Sequence, residues 1–155
     1  MIGEIADQAV EEEHRAGDLL FRSGEEAKDL YILEEGSVEI FIGERGGLRF
    51  IVDRVGEVFG WSALIEPHIY TASARCTADT KVIKIGKEAI EEIFNKYPAD
   101  GLIVMRQLAG VIAQRLRNAY RSISSEVAGR HPHSLLRLKV PLDMDPPSAT
   151  KPLLP

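Results

Sequence analysis

The sequence contains a single cysteine, Cys76, among its 155 residues. One cysteine cannot form a disulfide within the chain, and one thiolate is too few for a cysteine-based zinc site. The chain also lacks any apolar run approaching the roughly 18 residues of a membrane-spanning helix. Residues 1–13 are acidic, whereas a secretory signal is basic and then apolar. These absences predict a cytoplasmic protein, without a membrane partner, whose stability depends on its hydrophobic core.

Motifs typical of enzymes are absent as well. The four histidines are scattered along the chain, no Gly-x-Ser-x-Gly segment accompanies them, and no pair of carboxylates is distinct from the acidic surface. His131 and His133 lie close together, but no third metal ligand lies near them in the sequence. We therefore expect neither catalytic residues nor a metal site.

The residues that are present form three regions of different composition. Residues 1–97 carry 11 Lys/Arg against 20 Asp/Glu, so this part is expected to repel nucleic acid. Residues 101–130 carry five arginines and one glutamate. Six of the eight prolines fall in the last 25 residues, and we predict that residues 125–155 form a tail that does not fold independently.

Short apolar runs separated by glycines and turn residues fill the first half of the chain. Runs at residues 30–33, 38–42 and 80–85 are rich in residues that favour strands, and residues 4–12 could form a helical turn or two. About eight strands at this close spacing are typical of a β-sandwich or barrel. The first 85 residues are therefore predicted to be mainly β.

Two helices are expected after the strands. Residues 87–94 show helical spacing of apolar residues, and Pro98 is suited to the first turn of a longer helix. That helix carries an unbroken heptad seam, with apolar residues at alternating spacings of three and four. The seam residues are Leu102, Met105, Ala109, Ile112, Leu116, Ala119 and Ile123.

A second apolar stripe lies beside the heptad seam and consists of Val104, Leu108 and Val111. Two stripes favour a homodimer in which one stripe packs on the barrel and the seam contacts the partner helix. The alternative is one broad apolar face that packs within its own domain. The arginines at positions 115, 117 and 121 are expected on the solvated flank of the seam.

The turn at residues 56–65 is the segment best suited to bind a ligand. A strand ends there, Gly60 allows the backbone to approach a ligand, and residues that favour a helix follow. Free amide groups at such a turn bind anions. A plain tight turn has the same pattern, and the segment alone does not distinguish the two.

The order of glycines and aromatic residues in the barrel region has a recognisable form. The segments are Ala16-Gly17-Asp18, Ser23-Gly24-Glu25, Gly36-Ser37-Val38, Gly56-x-x-Phe59-Gly60 and Tyr70-Thr71-Ala72. Together with the two helices, residues 5–124 resemble the cyclic nucleotide-binding domain of the catabolite activator (Crp/Fnr-like) family. The resemblance implies a mainly β fold with α: a double-stranded β-helix (jelly-roll) barrel at residues 14–85 and helices at 87–124, the second of which dimerises.

The resemblance also implies a ligand site, because the segment around Phe59 corresponds to the family's phosphate-binding cassette. Trp61 stands where that cassette has a glutamate for the ribose, and Tyr70 where it has an arginine for the phosphate. We therefore expect weak binding of cyclic AMP and predict a sensor for a cyclic nucleotide or another small anionic ligand. The ligand-binding positions implied are Phe59, Gly60, Trp61, Ser62, Ala63, Tyr70, Thr71 and, on the long helix, Tyr120.

Two alternatives remain open at this point. Trp61 and Tyr70 could fill the pocket, which would leave a structural or dimerisation module that acts by protein–protein contact. Arg75 could replace the missing cation if its side chain turned inward, although a solvent-facing arginine is the simpler expectation. About 30 residues follow Ser124, and they are too rich in proline for the winged helix-turn-helix of the family's transcription regulators. Direct DNA binding by this chain alone is therefore not expected, and the alternative to a sensor includes a truncated transcription regulator that acts by protein–protein interaction.

Overall fold

The computed structural model describes residues 1–44 and 47–130. Within them, eight strands form two four-stranded antiparallel sheets. The first sheet has the order β1 (Val10–His14), β8 (Thr80–Gly86), β3 (Asp29–Glu35) and β6 (Val58–Phe59). The second has the order β2 (Leu19–Phe21), β7 (Ser73–Cys76), β4 (Val38–Phe41) and β5 (Arg49–Val52). The predicted jelly-roll class is confirmed.

In the described part of the chain, one helix precedes the strands of the sandwich and two helices follow them. Helix α1 (Ile2–Gln8) precedes β1, and α2 (Lys87–Lys96) and α3 (Pro98–Arg130) follow β8. The interpretation of residues 4–12 as helix was wrong at its end, because β1 pairs with β8 from Val10 onward. Helix α3 continues past the predicted end at residue 124. The proline-rich segment at residues 131–155 lies outside the described residues.

Strand β3 in the first sheet contributes apolar residues to both faces of that sheet. Successive side chains of a strand point to opposite faces. Tyr31 and Leu33 accordingly belong to a core between the two sheets, whereas Leu30 and Ile32 belong to a second cluster under the helices. An uninterrupted apolar run is the sequence pattern that burial on two faces requires.

The core between the sheets includes Phe21, Val38, Phe59 and Cys76. The Cys76 side chain is 1% exposed, and burial raises the pKa of its thiol. The second cluster contains Leu30, Ile85 and Ile90, with Trp61 and Phe94 packed against it.

Residues Met1–Ala119 form one compact unit, and the described residues from Tyr120 onward lie outside it. In that compact unit, the stripe of Val104, Leu108 and Val111 faces the barrel. A largely apolar cavity of about 280 Å³ lies between this stripe and residues of β3, β8 and α2. No helix in the described ranges is long and apolar enough to cross a membrane.

Candidate functional site

The cassette segment begins where β6 ends. Phe59 is fully buried, and Gly60 has a φ of +75°, in the left-handed region that favours glycine. A Cβ at Gly60 would lie 3.0 Å from Cδ2 of Tyr31 and 3.2 Å from the carbonyl oxygen of Asp29. Gly60 therefore allows the single 3-10 turn at Trp61–Leu64 to start close against β3.

The chain that returns from this turn is held to the segment between β2 and β3. The amide of Ala27 donates to the carbonyl of His68 at 2.7 Å, and the amide of Tyr70 donates to the carbonyl of Glu25 at 2.9 Å. The amide of Gly24 donates to the carbonyl of Tyr70 at 2.8 Å. These bonds hold the backbone of Tyr70 beside the segment between β2 and β3.

The turn and the returning chain line a common pocket. Six of the eight predicted ligand-binding residues contribute to it: Phe59, Gly60, Trp61, Ser62, Tyr70 and Thr71. Phe21, Ile40, Ala72 and Arg115 complete its lining. Ala63 does not line it, because its side chain is fully buried in the core behind the turn. The cavity volume is about 50 Å³, small beside the roughly 300–1,000 Å³ of pockets that enclose a drug-sized ligand.

Tyr70 forms the floor of this pocket as a core residue. Its side chain is 4% exposed, and its ring stacks on Phe21 with centroids 3.8 Å apart. Its hydroxyl donates to the carbonyl of Asp29 at 2.7 Å. Burial raises the pKa of the Tyr70 hydroxyl, so the residue is neutral at physiological pH and supplies no charge to a ligand.

Trp61 and Arg115 form the side of the pocket next to α3. The guanidinium carbon of Arg115 lies 4.5 Å from the indole ring centre, within cation–π range. Its Nη2 donates to the carbonyl of Val58 at 3.1 Å. Burial lowers the pKa of Arg115, an effect that the charge of Glu57 opposes. Trp61 is half-buried and packs toward the second cluster.

The prediction that Arg115 lies on the solvated flank of the seam was wrong. Arg115 follows Leu108 by seven residues and Val111 by four, which puts it on the stripe that faces the barrel. The helical spacing of Arg115 can be read from the sequence. The contact of Arg115 with the cassette segment cannot, because it joins Arg115 to Val58, which is far away in the chain.

Arg75 does not face the cassette. In β7, Ala74 and Cys76 point into the core, so Arg75 points to the outer face of its sheet. There its guanidinium lies 4.9 Å from the ring centre of Phe41, and Arg49 lies 5.8 Å from the same ring. An inward-turned Arg75 is therefore not the cation of the pocket.

The seam residues of α3 differ in exposure. Leu102 and Leu116 are 54% and 50% exposed, and Ala109 is also exposed. Met105 and Ile112 are half-buried, and Ala119 is buried within the single chain. Ile123 and Tyr120 lie outside the compact unit of Met1–Ala119 and are exposed. The roles of the seam in dimerisation and of Tyr120 in ligand binding stay predictions.

Metal ligands do not converge in the described part of the chain, where no group of three or more His, Cys, Asp or Glu could hold an ion. His131 and His133 lie outside that part.

The barrel, the cassette turn and the following helix match a known family. The family model described as a cyclic nucleotide-binding domain covers residues 11–97, more than half of the chain. The chain belongs to this family. The match runs from β1 to the end of α2 and includes the whole cassette.

Curated relatives of this cyclic nucleotide-binding domain include regulatory proteins. The cAMP-dependent protein kinase regulatory subunit of Hypocrea atroviridis is 30% identical over 107 residues, which are 69% of this chain and 22% of that protein. The cAMP-activated global transcriptional regulator CRP of Pasteurella multocida is 27% identical over 136 residues, which are 83% of this chain and 63% of that protein. The chain spans less than two thirds of either relative.

Solved structures with the same fold include a cyclic nucleotide-binding protein and a catabolite activator protein. A putative cyclic nucleotide-binding protein from Geobacter metallireducens has a TM-score of 0.65 at 31% identity, over 74% of this chain and 84% of that one. The catabolite activator protein of Thermus thermophilus has a TM-score of 0.64 at 23% identity, over 81% of this chain and 58% of that one. The second likeness supports the fold alone.

Proposed function

We propose that this domain is a non-catalytic sensor of the Crp/Fnr type, which binds a small anionic ligand at the cassette pocket. Cyclic nucleotides are the first candidates, given the family. One observation carries the proposal: the cassette turn and helix α3 line the same pocket. A ligand bound there contacts both the barrel and the helix, and it can therefore favour one arrangement of the two over another.

The cassette of this chain departs from the family pattern, and this sets the expected affinity. Trp61 offers an aromatic face at the position where the family pattern has a carboxylate. Tyr70 is a neutral core residue at the position where the family pattern has a guanidinium. Loss of a buried charged partner costs about 2–5 kcal/mol. We infer that cyclic AMP binds more weakly here than at a cassette with both charges, and that Trp61 stacks on a planar ligand.

The signal would pass through α3 to a partner copy. Leu102 and Leu116 are exposed apolar residues on one helix face, and pairing them across a two-fold axis would remove them from water. The domain would thus act as a cytoplasmic homodimer in signal transduction, with transcription regulation as the expected output.

A thermal-shift screen tests ligand binding directly. Cyclic AMP, cyclic GMP and small inorganic anions are added to the whole chain, with adenosine as the uncharged control. A ligand at 100 times its dissociation constant stabilises the folded state by about 2.7 kcal/mol, which is a rise in Tm of roughly 5–10 °C. No rise with any anion at millimolar concentration would contradict a sensor role.

One observation favours a second candidate function, a ligand-free dimerisation module. The pocket has only about 50 Å³ of free volume, and Tyr70 is locked in its floor by stacking and by a hydrogen bond. If the module binds no ligand, its oligomeric state and Tm are independent of every anion in the screen.

A further inference from the structure

The cavity beneath helix α3 is separate from the cassette pocket. Its volume is about 280 Å³, close to the lower end of the roughly 300–1,000 Å³ of pockets that enclose a drug-sized ligand. An engineered apolar cavity of about 150 Å³ already binds benzene. Among the described residues, none lines both the cavity and the cassette pocket. The cavity therefore has room for a small organic molecule that does not touch the cassette pocket.

The lining of this cavity determines which ligand chemistry it accepts. In the part of the chain that the structure describes, every lining residue except Gln107 is apolar, and none is charged. Gln107 and Val111 are the exposed members of the lining, which puts the entrance beside α3. A buried water makes about three hydrogen bonds, and apolar cavities stay dry. The space is therefore suited to a neutral hydrocarbon group rather than to water or an ion.

Helix α3 is held to the rest of the compact unit on both sides of the cavity. Near its start, a Cβ at Gly101 would lie 3.1 Å from Cγ of Phe94, so α2 and α3 are already in close contact there. Farther along, the Arg115 side chain lies between the helix and the barrel and donates to the carbonyl of Val58 at 3.1 Å. The helix rises about 21 Å from Gly101 to Arg115. These two contacts act as spacers, so α3 cannot close the cavity without displacing them.

We propose that this cavity binds a neutral, mainly hydrocarbon molecule of about ten carbon atoms, with one hydroxyl or carbonyl group placed at Gln107. The proposal goes beyond the sensor function and does not depend on it. Such a ligand contacts α2, α3 and, through Leu64, the cassette turn. A second copy of the chain is unsuited as the occupant, because α3 of the same chain covers the cavity and the exposed seam residues Leu102 and Leu116 do not line it.

The test compares Val104→Phe with a matched control, Ile103→Phe. Val104 lines the cavity, and the larger ring of Val104→Phe would occupy part of it. Ile103 is the preceding residue of α3, is exposed and does not line the cavity. Both changes replace a β-branched residue by phenylalanine, but only the first fills the space. The whole chain is titrated by calorimetry with 1-octanol, with naphthalene and with octanoate, the charged analogue of octanol.

We expect 1-octanol and naphthalene to bind the unmodified chain saturably. Octanoate should bind more weakly than octanol, because the lining offers its charge no partner. Val104→Phe should weaken octanol binding by at least about tenfold, and Ile103→Phe should change it less than about threefold. Val104→Phe should also raise the Tm of the ligand-free chain, because it restores packing contacts that an empty cavity forfeits.

Three results overturn the proposal. If neither octanol nor naphthalene binds saturably up to its solubility limit, the cavity takes no such ligand. If Val104→Phe binds octanol as tightly as the unmodified chain does, the octanol is bound elsewhere. If octanoate binds as tightly as octanol, the ligand class is wrong.

Two further measurements keep these results unambiguous. Circular dichroism shows whether each variant is folded, and Val111→Phe, which fills the same cavity from its entrance, decides the question if Val104→Phe is unfolded. The screen with cyclic nucleotides is separate, so a failure of the sensor function there leaves the octanol result standing, and the reverse also holds.

Discussion

At the residue scale, the hydroxyl of Tyr70 stabilises the loop that returns from the cassette. It donates to the carbonyl of Asp29 in a site that is almost fully buried. Tyr70→Phe keeps the stacking on Phe21 but leaves that carbonyl without this partner. We expect the free energy of unfolding to fall by about 1–3 kcal/mol, measured by urea denaturation.

The matched control for Tyr70→Phe is Tyr120→Phe, because the Tyr120 side chain is 60% exposed. We expect that change to alter the free energy of unfolding by less than about 0.5 kcal/mol. Equal effects of the two substitutions would contradict a structural role for the Tyr70 hydroxyl.

Single residues also show how far the sequence could predict the site. Gly60, Trp61 and Ser62 were identified because the cassette is contiguous, and its order of residue types is visible in the chain. The lining position of Arg115 was missed, since it depends on how α3 packs on the barrel. The burial of Tyr70 was an open alternative, because an aromatic residue suits a ligand pocket and a core equally well.

At the element scale, the pairing of β1 with β8 is reinforced by the ion pair of Glu12 and Lys84. Burial raises the pKa of Glu12, but hydrogen bonds from Lys84 and His14 outweigh it, so its pKa lies below the ordinary range. The pKa of Lys84 is raised, chiefly by its hydrogen bond to Glu12. A lowered carboxyl pKa stabilises the fold above the pKa of the unfolded chain, and this contribution is lost as pH falls through the folded value.

We therefore expect Glu12→Gln to reduce the free energy of unfolding by about 1 kcal/mol near neutral pH. The difference from the unmodified chain should vanish in acid, where Glu12 is protonated in both states. Denaturant curves across the pH range measure it. Glu13→Gln is the control, because Glu13 is 72% exposed in its pair with Lys81. A difference between Glu12→Gln and the unmodified chain that persists in acid contradicts the electrostatic explanation.

The second prediction at this scale concerns the seam of α3. Ile112→Glu together with Leu116→Glu would place like charges across the two-fold axis and should convert a homodimer to monomers. Light scattering at tens of micromolar measures the mass. Gln114→Glu, on an exposed helix face away from the seam, should leave the dimer intact. A monomeric mass for the unmodified chain would contradict the seam as an interface.

Elements with strong local patterns were predictable, and those defined by distant partners were not. Strand β8 is rich in Thr, Val and Ile, and helix α2 has apolar residues at helical spacing. Strand β1 contains Val-Glu-Glu-Glu-His, a sequence with weak strand preference. It is a strand because it pairs with β8, some 70 residues later in the chain. Local sequence contains no signal for such a pairing.

At the scale of the whole molecule, we predict that the proline-rich segment is dispensable for folding. Its sequence lacks the periodicity that a packed element requires. Deleting residues 131–155 should change Tm by less than about 4 °C, equivalent to about 1 kcal/mol for a chain of this size. Differential scanning calorimetry of both chains measures the change. A larger drop would mean that the segment packs on the rest of the protein.

The burial of Cys76 has a kinetic consequence for the whole molecule. A thiol that is sealed between the sheets and has a raised pKa is neither accessible nor ionised, so it reacts with a disulfide reagent only after the sandwich opens. The chain contains no other cysteine, so each molecule with a labelled thiol has opened in this way. The rate of thiol labelling therefore measures how often the two sheets separate, and a ligand that tightens the barrel would slow it.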